Sequence, residues 1–395
     1  MNTPLTHGPS PKRGVGRNRR LLFVKESQSW PRGSGHDVHG YHMMQTLAAR
    51  GHDVALATII PPTSQALAGL TLSGVFSLAE GERGESPWSK WQRRFTNYFG
   101  VEEKWAAALK LILAANLFDA VIVVARHLLP LLTVVQNAER IWYPADDPAW
   151  HHLSRLKLFH RRTWGEARQA VVNALYERAF RKCVDRVWVV SPADRRAMRW
   201  IGGYRKVDLI PNGVDADHYQ PQAMETIPES CVFWGRLDFG PNVDALKWFL
   251  TRIWPVIRAA HPAASFHLFG FNPTEEVRIM AQAPGASLHP DLPDLRGEVL
   301  RRQVVVLPFK SGGGIKNKLL EAAALGMPIV CTRKALSGTL GNPPIRAAKR
   351  PEDWLAALAR FWDDPKARDA AGAAARQWVI DNHTWAAAAS KAVLD

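Results

Sequence analysis

Short apolar runs alternate with helix-patterned stretches along nearly the whole chain. Residues 37–50 carry a helical pattern that stops at Gly51. Apolar runs rich in β-branched residues predict strands at residues 21–25, 54–59, 120–125, 140–143, 186–191 and 207–210. This alternation of strand and helix predicts a parallel sheet that is covered by helices on both faces.

The same alternation begins again after a turn signal at Pro211, Asn212 and Gly213. It predicts strands at residues 231–234, 265–269, 304–307 and 329–331, and helices at 241–260, 315–325 and from 351 onward. We therefore predict an α/β protein with two doubly wound, Rossmann-like domains that face each other across a cleft. The predicted divisions are a first domain at 20–211, a second at 212–380, and a C-terminal helix at 381–395 that packs back on the first domain.

The composition is that of a globular protein without membrane spans. A chain of 395 residues is long enough for two cores. No run approaches the ~18 apolar residues of a spanning helix, and the N-terminus lacks the apolar segment of a secretory signal. Three distant cysteines favour a reducing compartment. We expect a cytoplasmic protein with a disordered basic arm at residues 1–19.

A net charge of +15 indicates an anionic partner, which is nucleic acid, an acidic lipid surface or a phosphorylated small molecule. Residues 88–115 interleave aromatic side chains with lysine and arginine, and residues 151–182 form a second basic block. Such segments are typical of membrane interfaces. One hypothesis is therefore a peripheral protein on the inner face of the plasma membrane. The alternative is that the tryptophans are core residues and the arginines a solvated surface.

A glycine loop lies between the strand at 304–307 and the next helix, and it consists of Gly312, Gly313 and Gly314. Such loops let backbone N–H groups approach a phosphate at a helix N-terminus. Lys316 and Lys318 add positive charge, and Glu321 is placed to accept hydrogen bonds from ribose hydroxyls. The alternative is an ordinary turn before a surface helix that carries a solvated Lys318–Glu321 ion pair.

Four segments in the same order resemble glycosyltransferases of the GT-B fold, family 4, also called glycosyl transferases group 1. Residues 308–330 are similar to the family's donor-binding signature, and residues 34–51 to its first glycine loop and helix. Residues 210–221 resemble its interdomain segment, and residues 235–242 the first loop of its second domain. Because the four segments span most of the chain, their joint order is far more specific than any one of them.

The resemblance implies roles for individual residues. Arg236 matches the basic residue that binds the donor diphosphate, and Glu321 matches the glutamate that holds the ribose. Gly33 and Gly35 resemble the loop that approaches the diphosphate or the acceptor from across the cleft. At two positions the chain departs from the pattern. Asn242 stands where many members have lysine, and Gly313 where many have glutamate, so Lys316 or Lys318 is expected to supply the missing charge.

The resemblance also implies the reaction. A sugar would pass from a nucleotide-diphosphate sugar to an acceptor hydroxyl, with retention at the anomeric carbon, in the synthesis of an envelope polysaccharide or glycolipid. Fixed cations would stabilise the charge that develops on the departing diphosphate. Neither a metal nor a cofactor is expected, because the nucleotide sugar is a co-substrate. The predicted acceptor is lipid-linked or a polysaccharide.

Three residues of the first domain are candidates for acting on the acceptor. Asp146 and Asp147 follow a strand, so they could orient or deprotonate a hydroxyl, although capping the next helix explains them equally well. His127 also follows a strand and ranks slightly above His39. A lone histidine is more often structural than catalytic.

Three other functions fit parts of the sequence. A basic nucleic-acid-binding protein would need a recognisable reading element, and the sequence shows none, so we expect no nucleic-acid partner. A Rossmann dehydrogenase would need G-x-G-x-x-G directly after the first strand, where only a fragment stands. A nucleotide-sugar epimerase of GT-B architecture would turn over the donor without any acceptor.

Overall fold

The computed structural model describes residues 18–30, 35–82, 85–145, 163–312 and 314–392. Within these residues the strands form two separate sheets, and every strand pairing between neighbours is parallel. The architecture is therefore two α/β domains, as the alternating pattern predicts.

The first sheet has seven strands in the order β3-β2-β1-β4-β5-β6-β7. Its order reverses between β1 and β4, which is the point where ligands bind in doubly wound sheets. The strands are β1 Arg20–Lys25, β2 Asp53–Thr58, β3 Gly74–Ser77, β4 Ala120–Val124, β5 Glu139–Ala145, β6 Arg186–Val189 and β7 Val207–Leu209.

The second sheet has five strands in the order β10-β9-β8-β11-β12, and its order reverses between β8 and β11. The strands are β8 Ile227–Arg236, β9 Ser265–Phe271, β10 Ala286–Pro290, β11 Arg302–Leu307 and β12 Ile329–Cys331.

The helices connect the strands and cover the sheets. They are α1 Gly35–Ala49, α2 Ser64–Leu67, α3 Lys90–Phe99, α4 Glu103–Ala115, α5 Thr163–Phe180, α6 Pro192–Ala197, α7 Gly240–Trp248, α8 Trp254–Ala260, α9 Glu275–Met280, α10 Arg296–Leu300, α11 Asn317–Ala324, α12 Pro351–Asp363, α13 Pro365–Asn382 and α14 Trp385–Ala389. Single 3-10 or π turns lie at Leu129–Val134, Arg181–Cys183, Met198–Gly202 and Phe249–Ile253. Among the residues the structure describes, no helix is long and apolar enough to cross a membrane.

The hydrophobic pattern missed one edge strand in each sheet. β3 and β10 lie at the outer edges of their sheets. Their residues are mostly half-buried rather than buried, so neither segment has the continuous apolar run of a central parallel strand. The predicted central strands are present, with ends that shift by up to four residues.

The last helix joins the first domain. After α13 the chain crosses between the domains, and α14 places Trp385 in the hydrophobic core of the first sheet. The Trp385 ring stacks on His42 of α1, with 4.6 Å between ring centroids. His383, at the crossing, is fully buried, with Nδ1 3.1 Å from the carbonyl oxygen of Asn212 and Nε2 accepting from the Leu340 N–H. The chain first passes between the domains near Asn212, and His383 thereby bonds the second crossing to the first.

The tryptophans divide between core and surface. Trp142, Trp188, Trp254 and Trp354 are fully buried. In the aromatic segment at 88–115, Trp88 and Trp105 are also buried, whereas Trp91 is 50% exposed. The core interpretation is therefore correct for most of these rings and wrong for Trp91.

Candidate active site

The carboxyl ends of the first sheet face the second domain. After β7, the side-chain amide of Asn212 donates to the side-chain oxygen of Asn317, at the start of α11, over 2.8 Å. After β6, Ser191 lies so close to Gly338 that a Cβ atom there would be 3.4 Å from the Ser191 Cβ. The start of α11 therefore stands at the boundary between the two domains.

Lys318 extends from α11 to the carboxyl end of β8. Gly235 has φ +138°, and a Cβ atom at this position would overlap the Cε and Nζ atoms of Lys318. A glycine is required here both for the backbone conformation and for the passage of the lysine. Burial lowers the pKa of Lys318, and the charge of Glu321 partly opposes that shift. Among the described residues no carboxylate lies within ion-pair distance of its ammonium group.

Asn242 closes the loop after β8. It is buried, and its side-chain amide donates to the carbonyl oxygen of Arg236 over 2.6 Å. Many family members are expected to have a lysine at this position. A Cβ atom at Gly235 would lie 3.3 Å from the Asn242 amide nitrogen as well as against Lys318. Lys318 thus brings a positive charge to the position that Asn242 leaves neutral.

Arg236 is an exposed cation at the carboxyl end of β8. Its side chain is 52% exposed and forms a two-pronged pair with Asp238, with both N–O distances at 3.0 Å. The guanidinium beside Asp238 lowers the pKa of that carboxyl. The side chain is long and exposed, so it is free to turn toward an anion in the cleft.

Glu321 is held by a residue that sequence reasoning did not single out. The Trp234 indole N–H donates to Glu321 Oε2 over 2.9 Å, and Lys318 is not within ion-pair distance of the carboxylate. The nearby charge of Glu321, together with burial, raises the pKa of the Tyr219 hydroxyl. The expected alternative, a solvated Lys318–Glu321 pair on a surface helix, is therefore wrong. Trp234 was seen only as part of an apolar strand, and no local signal marks its contact with residue 321.

The glycine loop has left-handed backbone at the two of its glycines that the structure describes. Gly312 and Gly314 have φ of +92° and +61°, and Gly313 lies outside the described residues. The Lys316 ammonium would lie 3.1 Å from a Cβ atom at Gly312. No side chain of the described residues caps the start of α11. The Leu319 N–H donates to the Lys316 carbonyl oxygen, so the N–H groups of Asn317 and Lys318 are the ones available to an anion. Lys310, in contrast, turns away, with its ammonium 4.4 Å from the centre of the Trp248 ring.

In the first domain, Lys25 and Glu26 mark the end of β1. Lys25 is buried, and its ammonium contacts Gln28 Oε1 at 2.5 Å and Asp37 Oδ1 at 3.2 Å. The Glu26 carboxylate lies 3.2 Å from Nε2 of His127, which follows β4. Neither Lys25 nor Glu26 was predicted, because a single charge after a strand carries no sequence signal.

The other predicted residues are placed as follows. Gly35 is the first residue of α1. Gly33, Asp146 and Asp147 lie outside the described residues. His39 is buried between Tyr143 and Trp385, with ring centroids 4.7 and 5.2 Å away, and is a core residue. Within the described part of the chain, no cluster of three or more His, Cys, Asp or Glu side chains is arranged to hold a metal ion.

Two family models match the chain. The model of Glycosyltransferase Family 4 matches residues 33–218, and the model of Glycosyl transferases group 1 matches residues 228–364. No curated protein matches the sequence.

Solved structures share the fold at low sequence identity. TarM superposes with a TM-score of 0.67 at 11% identity, covering 94% of this chain and 97% of its own. Anabaena Alr3699/HepE, solved with UDP and glucose, gives 0.62 at 12% identity, covering 94% and 98%. WaaG, a glycosyltransferase involved in lipopolysaccharide biosynthesis, gives 0.56 at 13%, covering 94% and 98%.

The two facing sheets and the family matches define an enzyme of a known class, a glycosyltransferase of the GT-B type. Within that class the chain belongs to glycosyltransferase family 4, with a second domain of the Glycosyl transferases group 1 type. The predictions of the fold and of an enzyme that transfers sugars are confirmed.

Proposed function

We propose that this enzyme transfers a sugar from a nucleotide-diphosphate sugar to an acceptor hydroxyl. The observation that carries the proposal is Lys318, a lysine with a lowered pKa whose ammonium lies against Gly235 without a carboxylate partner among the described residues. Lys318 is half-buried, and a partly desolvated cation without an anionic partner carries a cost in the free protein. A bound diphosphate would relieve that cost.

The surrounding groups suit a departing diphosphate. Arg236 supplies a second cation at the end of β8, Lys316 a third beside Gly312, and α11 directs uncapped N–H groups toward the domain boundary. Negative charge grows on the diphosphate as its bond to the anomeric carbon breaks. Donors that are fixed in place stabilise that charge without having to reorganise.

Glu321 is proposed to hold the ribose. Its Oε2 accepts from Trp234, which fixes the carboxylate. Its other oxygen accepts no hydrogen bond from the described residues and would accept one from a ribose hydroxyl. Similar structures solved with UDP and with UDP-glucose support a nucleotide sugar as the donor.

A binding screen tests the donor site. Thermal shift with UDP-, GDP- and ADP-sugars should show one nucleotide family that stabilises the wild type, while Arg236→Ala and Glu321→Ala bind it at least tenfold more weakly. Lys310→Met is the matched control. Because the Lys310 ammonium lies over the Trp248 ring, this variant should bind the nucleotide as the wild type does. If no nucleotide stabilises the wild type, the donor-site assignment is wrong.

We propose further that the reaction needs no metal and retains the anomeric configuration. Arg236, Lys316 and Lys318 supply the positive charge that a divalent cation would otherwise bring. Turnover should be unchanged by EDTA, and the NMR coupling constant of the product's anomeric proton should match that of the donor. Loss of activity in EDTA that Mg²⁺ or Mn²⁺ restores would overturn the first statement, and an inverted product the second.

A lipid-linked acceptor is supported by an exposed surface of the first domain, which we call the α3–α5 surface. On α3, Trp91, Arg94 and Tyr98 follow one another at helical spacing and are exposed. On α5, a second exposed stripe repeats the mixture of apolar and basic side chains, and it consists of Arg168, Val171, Leu175 and Arg178. The two helices are bonded together through Gln92 to Ala179 and Gln169 to Tyr98.

This surface has the composition of a membrane interface. Exposed aromatic and aliphatic groups insert among lipid headgroups, and each nearby basic residue contributes about 1 kcal/mol on anionic lipid. We therefore propose a peripheral enzyme that works on a lipid-linked or envelope-polysaccharide acceptor at the cytosolic face of the membrane.

Vesicle flotation tests the α3–α5 surface. The wild type should float with phosphatidylglycerol vesicles at low salt and not with phosphatidylcholine, and Trp91→Ser with Arg94→Glu should stay in solution. The matched control is Arg278→Glu with Ile279→Ser, an exposed pair of the same chemistry in the second domain. A wild type that does not float on anionic vesicles at low salt removes the membrane proposal.

A further inference from the structure

Among the described residues, Trp200 is the most exposed large apolar side chain. It lies in the π turn Met198–Gly202, which follows α6, and it is 84% exposed. Met198, two positions earlier, is fully buried in the core that α3, α4 and α5 form against the first sheet. The turn therefore directs Trp200 away from the sheet. A single exposed ring needs no partner, so the surroundings of this one decide what it does.

Positive charge surrounds Trp200. Residues 178–206 are rich in lysine and arginine, and the acidic residues among them are Asp185 and Asp194. Asp185 pairs with Arg140 at 2.6 Å, and Asp194 is buried against the Ser191 hydroxyl. The arginines of this segment that are exposed are Arg178, Arg181, Arg196, Arg199 and Arg205. A surface of this kind attracts an anionic partner.

The turn that carries Trp200 is bonded to the end of α5. The Arg178 guanidinium donates to the carbonyl oxygen of Ile201 over 3.4 Å. The Tyr204 hydroxyl donates to the carbonyl oxygen of Glu177 over 3.2 Å. The α3–α5 surface therefore continues past the end of α5 onto the π turn.

Trp91 lies at this end of α5 as well. The next residue of α3, Gln92, donates from its side chain to the carbonyl oxygen of Ala179 over 3.0 Å. Two exposed tryptophans thus flank the last turn of α5, and the exposed Arg178 belongs to that turn. We call Trp91, Arg178 and Trp200 the tryptophan end of the α3–α5 surface.

The tryptophan end lies away from the cleft. Residues 181–185 lead from α5 to the amino end of β6, and residues 203–206 lead from the π turn to the amino end of β7. In a parallel sheet the amino ends share the edge opposite the carboxyl ends, and here the carboxyl ends face the second domain. With 18 residues, α5 is roughly 27 Å long. That length separates the tryptophan end from the start of α5.

A lipid bilayer fits this surface better than a polyanion does. Nucleic acid would use the arginines and could stack a base on an indole. It would gain nothing from aliphatic side chains, and α5 exposes Val171 and Leu175 on the stripe that ends at Arg178. Exposed indoles, aliphatic groups and arginines together match the headgroup layer of an anionic membrane.

We propose that Trp91 and Trp200 both insert into the headgroup layer of an anionic membrane, so that the tryptophan end is the deepest part of the contact. The inference rests on the proposed peripheral enzyme and adds its orientation, which the α3–α5 surface alone leaves open. The first domain is then held by the edge opposite the cleft. The cleft itself stays in water, where it can open and close on a soluble nucleotide sugar.

Vesicle flotation with paired variants tests Trp200. On phosphatidylglycerol vesicles at low salt, Trp200→Ser with Arg199→Glu should lower the partition coefficient at least about tenfold, because both the ring and a cation are lost. Trp200→Phe with Arg199→Lys keeps a ring and the charge and should bind as the wild type does. Arg278→Glu with Ile279→Ser, in the second domain, is again the control. A Trp200→Ser, Arg199→Glu variant that floats as the wild type does overturns the proposal.

An environment-sensitive dye tests the orientation. The dye NBD is attached to Arg199→Cys or to Arg168→Cys, near the start of α5, in a Cys183→Ser background whose other cysteines are buried. Both variants lose the same charge. On phosphatidylglycerol vesicles the emission at residue 199 should shift to the blue much more than that at residue 168. An equal or larger shift at residue 168 would mean that the tryptophan end is not the deepest part, and the proposal would fall.

The proposed membrane role and this inference fail in different ways. If the wild type does not float, both are wrong. If the wild type floats and Trp91→Ser with Arg94→Glu does not, but Trp200→Ser with Arg199→Glu still floats, only the inserted Trp200 is wrong. If that last variant floats normally but is no longer retained on heparin, the partner of Trp200 is a polyanion and the inference is overturned.

Discussion

Each domain places one lysine ammonium at the carboxyl end of its first strand, and the two lysines have opposite surroundings. Lys25, at the end of β1, has the Asp37 carboxylate at 3.2 Å and the Gln28 amide oxygen at 2.5 Å. Lys318 extends from α11 to the end of β8 and contacts Gly235, with no carboxylate in ion-pair distance among the described residues. Burial lowers the pKa of both.

The comparison separates a structural cation from a binding one. A buried charge that is paired and hydrogen-bonded belongs to the fold, whereas one that is left without its counterion is a reason to expect a ligand. In the proposed function that ligand is the diphosphate. The first domain instead has the His127 imidazole at the same edge, 3.2 Å from the Glu26 carboxylate.

The largest effect is expected from Lys318→Met, which removes the charge and keeps the length of the side chain. Nucleotide affinity and kcat/KM should fall by about 10²–10³-fold. The melting temperature of the free enzyme should stay the same or rise, because a desolvated charge is gone. Calorimetric titration and thermal unfolding measure the two. Weakened folding with normal binding would make Lys318 the structural cation.

Lys25→Met should show the reverse pattern. The substitution leaves Asp37 without its ammonium partner, which we expect to cost about 3 kcal/mol of folding free energy. Urea unfolding of the two lysine variants side by side gives the difference. Nucleotide affinity, measured under conditions where the variant is folded, should remain near that of the wild type. A Lys25 variant that is as stable as the wild type would end the comparison.

Gly235→Ala tests whether the passage of Lys318 depends on the glycine. The new Cβ would overlap the lysine Cε and Nζ atoms, and φ +138° strains any residue with a side chain. We expect about 1–3 kcal/mol of destabilisation and a loss of nucleotide affinity that approaches that of Lys318→Met. Gly240→Ala is the control, since a Cβ there meets open space. Equal behaviour of the two alanine variants would contradict the packing argument.

A smaller effect is expected in the number of protons that the enzyme takes up when the nucleotide binds. Burial lowers the pKa of free Lys318, and a bound diphosphate should raise it again. Between these two pKa values, binding must take up a proton. Titration calorimetry over a series of pH values, in buffers with different ionisation enthalpies, should detect a fractional uptake that is absent in Lys318→Met. Uptake that persists in the variant would assign it to another group.

Sequence reasoning predicted the central strands, the donor loop and the candidate cations, because these depend on local pattern and on motifs. It could not predict what depends on distant contacts. Trp234 and Glu321 are 87 residues apart, and their hydrogen bond leaves no trace in either segment. Gly235 was part of a recognised motif, but its need to be glycine comes from a lysine 83 residues later. Glu26 stands alone in sequence, and only strand order brings it to His127.

The helix α14 belongs to the core of the first domain but is synthesised after the second domain. The order of synthesis therefore affects how the first domain folds. Trp385, Ala388 and Ala389 of α14 complete the hydrophobic core beneath the first sheet, although all seven strands of that sheet lie within residues 20–209. On the ribosome, the first domain must therefore wait with an open apolar face until the second domain has been made. A nascent chain that stops before residue 385 should expose that face to chaperones, however well its second domain has folded.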